Sequence, residues 1–256
     1  MAIFNKVLAR MGIGSARVDT KLYKDQLIAG EKIEGVIEVY GGNVEQEIDS
    51  IYLNLYTSYI REVNDSKVKE NYLLNSFKIA DPFVIQSQEK KEIPFSFDLP
   101  ADTPVTMGRT RVWIATGLDI KNAVDPSDVD HMEVLPHPIL HATINAMSDM
   151  GFRLRQVECE EAPRRLRGRL PFLQEFEFVP TRGAFHGKLD ELELMFYFRA
   201  PGKFDVLMEV DRRSRGISGF LAEALELDET LVRFTVTDED IPQLKSLLES
   251  VVARYS

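Results

Sequence analysis

Ile93-Pro94-Phe95-Ser96-Phe97-Asp98-Leu99-Pro100-Ala101-Asp102-Thr103-Pro104 alternates apolar and polar side chains and then runs into prolines. In an extended chain Ile93, Phe95, Phe97 and Leu99 share one face, which must enter a core. Pro100 and Pro104 lack the N–H a central strand needs, so the chain leaves the sheet there. A further strand follows in Arg111-Val112-Trp113-Ile114-Ala115-Thr116-Gly117. Toward the N-terminus the same period of two recurs in Ala16, Val18, Thr20 and Leu22 and again in Ile33, Gly35, Ile37 and Val39. Gly41-Gly42-Asn43 supplies residues that tolerate a tight hairpin turn. The returning strand carries Ile51, Leu53 and Leu55 on one face and Tyr52 and Tyr56 on the other, before a charged tip at residues 61–69 and a strand at 72–79. Short antiparallel strands without helical crossovers predict a mainly β protein that opens with an immunoglobulin-like β-sandwich.

The 256 residues allow two domains. The expected boundary is acidic: residues 119–138 hold five acids against one lysine, a net charge of −4 out of −10 for the whole chain. This predicts a sandwich over 1–118, a hydrated linker over 119–138 with Asp119, Asp125, Asp128 and Asp130 as hinge acids, and a second domain over 139–256. The negative charge excludes general nucleic-acid binding, which needs a dominant basic face. No apolar run approaches the roughly 20 residues of a bilayer crossing. A single cysteine, Cys159, closes no intrachain disulfide, and the N-terminus lacks a secretory signal, so a reducing cytoplasm is expected.

In the second half, residues 138–149 place Ile139, Leu140, Thr143, Ile144 and Met147 on one side of a helix that begins at Pro138 and stops before Gly151. Strands are expected at 152–159, 172–179, 192–198 and 204–210, and their phenylalanines form a face that helices must cover. Phe220, Leu221, Ala224 and Leu225 predict a helix over 218–227, and a strand follows at 231–236. The last helix is expected to be capped by Asp240, with Pro242 in its first turn. Leu244, Leu247, Leu248, Val251, Val252 and Tyr255 then form a stripe that closes the core or receives a second copy of the chain. At the other terminus, residues 3–11 form a short amphipathic helix. Its stripe, with Phe4, Val7 and Leu8, packs on the first domain or serves as a docking helix for a partner or, weakly, a membrane surface.

The strand, proline-bearing loop and closing strand around residues 93–117 resemble the sandwich of arrestin-type domains. Gly117-Leu118-Asp119-Ile120, Ala123-Val124-Asp125-Pro126, Asp128 and Asp130 extend the likeness. So do Gly12-Ile13-Gly14-Ser15-Ala16, Phe176-Glu177-Phe178-Val179-Pro180 and Glu209-Val210-Asp211-Arg212-Arg213. Taken in order along the chain, these motifs resemble the bacterial sporulation-control protein SpoOM family. The resemblance implies a non-catalytic regulatory protein of sporulation or stress control that acts through contacts with other proteins.

Sites for chemistry are sparse in the residues themselves. His137 and His141 have the four-residue spacing of helical zinc ligands, with His131 nearby, but Pro138 puts His137 at the helix start and no cysteine pair completes a site. The acids of residues 119–130 lack the glycine and distal glutamate of a calcium loop. No Gly-x-Ser-x-Gly elbow, dinucleotide fingerprint or phosphate loop occurs, so neither an enzyme nor a cofactor is expected. Two arginine clusters, Arg164, Arg165, Arg167 and Arg169, and Arg212, Arg213 and Arg215, lie in loops or turns. They suit recognition of an acidic partner or a clamp onto the protein's own acids.

Overall fold

The structure, a computed structural model, describes residues 15–64, 66–120, 125, 127–212 and 231–256. The expected helices over 3–11 and 218–227, with Phe4, Val7 and Leu8, lie outside the described residues, as do Arg213 and Arg215. Two compact units are interleaved along the chain. One comprises the chain up to Thr57, Asn71–Thr103 and Arg111–Leu135; the other comprises Ser58–Glu70, Pro104–Thr110 and the chain from Pro136 onward.

The first unit is a sandwich. Strands β1 (Arg17–Leu22), β3 (Lys32–Tyr40) and β7 (Lys90–Asp98) form one antiparallel sheet. In the other, β4 (Gln46–Val63), β8 (Val112–Ile120) and β9 (Ser127–Leu135) are antiparallel neighbours. Strand β2 (Gln26–Ile28) joins β9 in parallel, and β5 (Ser66–Ala80) and β6 (Phe83–Ile85) pair with β4. Alternation explains the core: Ile33 and Ile37 from β3 and Ile51, Leu53, Leu55, Ile114 and Leu118 from β4 and β8 are fully buried. Between the sheets the hydroxyls of Thr20 and Thr116 meet at 2.6 Å.

Residues 127–135 are a strand of the sandwich and not a hydrated linker, which corrects the expected boundary. Strand β9 pairs with β8 so that Trp113 faces His131 and Thr116 faces Asp128. Charge hid this strand, because its inward positions are Asp128, Asp130, Met132 and Val134, and only the last two are apolar. Two of the expected hinge acids therefore point into the sandwich. Asp128 accepts the backbone N–H of Thr20 at 2.8 Å, and Asp130 keeps a buried Oδ2 without a hydrogen-bond partner among the described residues. Burial, reinforced by Asp128, pushes the Asp130 carboxyl up to about 6. Asp125 accepts the N–H of Ile120 at 2.9 Å, and Asp119 ends β8 beside Ser50.

On the β1-β3-β7 sheet, Glu38 is hydrogen-bonded by Lys21 at 2.8 Å, by the Tyr40 hydroxyl and by Lys90 at 3.0 Å. These donors, Lys21 foremost, hold its carboxyl at about 2, against an ordinary value of 4.5. A depressed carboxyl contributes stability that is present above the unfolded value and lost as pH falls through the folded one. Glu38→Gln should accordingly flatten the decline of melting temperature between pH 4.5 and 2, measured by circular dichroism.

The second unit is one sheet with two helices. Strands β10 (Phe152–Glu161), β11 (Phe172–Pro180), β12 (Leu189–Ala200), β13 (Lys203–Arg212) and β14 (Leu231–Thr237) pair antiparallel in that order. Strand β10 meets the last residues of β4 in parallel, Glu160 opposite Ile60. Helix α1 spans Pro138–Asp149 as its pattern requires; the His137 ring accepts the N–H of Ile139, and Gly151, at φ 95°, turns the chain into β10. Helix α2 (Leu244–Tyr255) packs on α1. Ile139, Leu140, Met147, Leu244, Leu248 and Val252 are buried, as are Phe176, Phe178, Leu192, Leu194 and Met208 on one face of the sheet.

The expected cap of the last helix shifts by three residues. A 3-10 turn over Asp238–Gln243 precedes α2, and the Asp240 carboxylate reaches back to the backbone N–H and hydroxyl of Thr237, each at 2.8 Å. Asp240 is thus the back-reaching member of the cap, with Thr237 ahead of it. Asp240→Ala should lower stability by about 1 kcal/mol in urea unfolding without changing the slope.

Candidate functional site

Alternation buries one face of the second unit's sheet and dictates what its other face carries. Along β11 the residues between Phe172, Phe176 and Phe178 include Glu175 and Glu177. Along β12 they include Glu191, Glu193 and Met195, and along β13 they are Leu207, Glu209 and Asp211. Strand register then sets the acids in rows: Glu158 opposite Glu175, Glu177 opposite Glu193 opposite Glu209, and Glu191 opposite Asp211. Like charges directly opposite one another repel, so local strand pairing does not favour the array.

The rows form the floor of an open cavity of about 600 Å³, lined by ten carboxylates and five cationic side chains. Arg61 and Lys67 come from the tip of the β4-β5 hairpin, Arg155 from β10, and Arg164 and Arg167 from the loop that joins β10 to β11. Arg155 forms an ion pair with Glu177 and donates to Glu191 at 2.5 Å. Lys67 reaches Glu160 at 3.1 Å, while Glu158 accepts from Gln156 at 2.9 Å. Ala162, which lines the cavity, also belongs to a buried apolar cluster with Leu166, Leu173, Met195 and Leu207, against which Tyr197 and Leu231 pack. The loop is held there by the Tyr197 hydroxyl, which donates to the Leu166 carbonyl at 3.2 Å.

Carboxyls in the middle of the floor are buried beyond what these cations neutralise. Glu209 is only 6 % exposed, and its Oε2 has no hydrogen-bond partner among the described residues. Burial, with Asp211 and Glu191 adding repulsion, pushes its carboxyl up to about 7. Glu193 is pushed up to about 8, again by burial first and then by Glu209, and Glu175 lies well above the ordinary value for the same first reason. Near neutral pH this cluster therefore holds protons that separate carboxylates would release.

Of the expected interaction residues, Arg164 and Arg167 line this cavity. Arg167 donates to the Ala162 carbonyl at 2.8 Å and to Glu161 at 2.7 Å, so it clamps its own loop. Arg165 and Arg169 are exposed on that loop, and Arg212 closes β13. The histidines do not converge. His131 stands beside Trp113 in the sandwich, His137 caps α1 against Phe204, and His141 meets Asn145 on the outside of α1. Among the described residues no group of three or more His, Cys, Asp or Glu is placed to hold a metal ion. Cys159 is buried beside Thr110, and burial pushes its thiol up to about 12. None of the described helices is long and apolar enough to cross a membrane.

Sequence reading missed the floor acids. The available signal was an acid at every second position, as in Glu175-Phe176-Glu177-Phe178 and Glu191-Leu192-Glu193-Leu194, which reads as the solvated face of a half-buried strand.

The fold and the basin define a mainly β protein with a leading sandwich and a charged recess on its second sheet. A family model described as SpoOM protein matches residues 4–214, and the chain belongs to that family. It is 41 % identical to the sporulation-control protein spo0M of Bacillus subtilis (strain 168), the match covering all of both chains. The crystal structure of Spo0M from B. subtilis superimposes with a TM-score of 0.88, covering 95 % of this chain and 100 % of that one.

Proposed function

We propose that this chain is a non-catalytic regulatory protein of the sporulation-control type, which acts in the cytoplasm by docking other proteins. Family membership over most of the chain supports the regulatory role. The observation that carries the docking mechanism is the carboxylate basin, where a buried oxygen of Glu209 lacks a partner among the described residues. A protein that leaves a desolvated acceptor unfilled in an open recess loses stability by it, and a partner's donor would recover that loss.

The test uses the whole chain, because Ser58–Glu70 and Pro104–Thr110 belong to the second unit and a cut near residue 118 leaves neither unit complete. Expressed in B. subtilis lacking its own Spo0M, the chain should restore the normal sporulation frequency. Glu177→Lys with Glu193→Lys should abolish that rescue while the protein still accumulates. Rescue by the charge-reversed chain would refute docking through the basin, and failure of the parent chain would refute the regulatory role.

A further inference from the structure

The reading above leaves open what enters the basin, and three observations narrow it. The floor is a grid. Neighbouring strands lie about 4.8 Å apart and alternate residues along a strand about 6.8 Å. The row Glu177, Glu193, Glu209 therefore extends across roughly 10 Å, with Glu175 one step to one side and Glu191 and Asp211 one step to the other. A point cation needs several oxygens within about 2.6 Å of one centre, and no such group exists among the described residues.

Arg155 provides the second observation. Its guanidinium already lies among the floor acids, with one nitrogen on Glu177 and another on Glu191. A planar, multi-donor cation therefore fits between rows of this spacing, and such forks match carboxylates better than a hydrated point charge does. Glu193 and Glu209, the next carboxyls along the row, have no such fork among the described residues.

The third is the apolar part of the recess's lining. Ile60 and Pro163, both half-buried, line the recess alongside its charged residues. Long cationic side chains lay their methylene stems on surfaces of this kind while the charged head reaches an acid. A volume of about 600 Å³ is within the range of recesses that enclose several such groups.

We infer that the basin is the receptor for an arginine-rich segment of a partner protein, with Glu193 and Glu209 at its centre. The inference rests on the docking reading. Two features favour a peptide over a free polyamine: the acids are spread in two dimensions, and apolar surface adjoins them. A single linear amine can follow only one row.

Purified full-length protein is titrated into a fluorescein-labelled peptide of alternating arginine and serine, with anisotropy as the readout at low salt. Saturable binding is expected, weakened at least about tenfold by Glu193→Gln with Glu209→Gln. The corresponding carboxyl-to-amide pair on the sandwich, Glu45→Gln with Asp49→Asn, should leave binding unchanged. Because glutamine mimics the protonated carboxyl, the basin variant should fold, which a thermal melt verifies. Absence of binding to the parent chain, equal weakening by the sandwich variant, or displacement by spermidine or calcium at concentrations matching unlabelled peptide would each overturn the assignment. Peptide binding is read separately from sporulation rescue, so rescue without peptide binding removes this inference alone, and binding without rescue removes the regulatory role alone.

Discussion

At pH 8 the Glu193→Gln, Glu209→Gln variant should be more stable than the parent chain by about 3 kcal/mol, and at pH 4.5 the gap should close to under about 1 kcal/mol. Both carboxyls titrate higher in the folded protein, at about 8 and about 7, than the ordinary 4.5. The folded state therefore binds more protons than the unfolded state between those values, and stability falls as pH rises through that window. Below the unfolded value both states are neutral at these positions, and glutamine gains nothing. The full shifts at about 1.4 kcal/mol per unit would give more, but the open basin leaves each side chain some access to water, which reduces the effect. Glu38 acts in the opposite sense, losing its contribution as pH falls from 4.5 toward 2. Stability should thus peak at about pH 4. Urea midpoints from pH 2 to 8 check this, and a variant no more stable than the parent chain at pH 8 would refute the burial of these acids.

Truncating Phe176 to alanine should lower stability by about 3–5 kcal/mol, the largest loss expected of any single change discussed here. Its ring is 1 % exposed and meets Phe196 edge-on at 5.6 Å between centroids. It also stands directly opposite Leu194 in the register. Phe176→Leu, which keeps most of the volume, should cost under about 1.5 kcal/mol. For a chain of this length the alanine variant should melt roughly 10 °C lower. The two variants differ in cavity size and not in charge, so both should show the parent chain's pH profile. A change in that profile would mean that the core face and the acidic face are coupled.

Helix α1 and strands β10 to β13 were readable within a few residues because their apolar residues keep one period throughout. In β12, Leu192, Leu194, Phe196 and Phe198 leave no doubt about the inward face. Strand β9 was obscured because its first two inward positions are aspartates, one held by the Thr20 N–H from another strand. The cap is displaced from Asp240 because Thr237, beyond the expected strand over 231–236, ends β14 and gives both its N–H and its hydroxyl to that carboxylate. The loop arginines were the conspicuous charges in the sequence. In the structure two of them border a recess whose floor is built from glutamates that had looked like ordinary solvated positions.

The residue order alone settled that this protein is mainly β, that it begins as a sandwich, and that α1 and α2 turn apolar stripes inward. These are local matters, governed by the period of the side chains and by prolines and glycines at turns. That Glu177, Glu193 and Glu209 stand side by side was settled by register, which depends on how strands far apart in the chain slide against one another until the phenylalanine face is buried. Burial then raised the proton affinity of Glu193 and Glu209. The same carboxylates on isolated strands would be ordinary acids; assembled on one floor, they become a site.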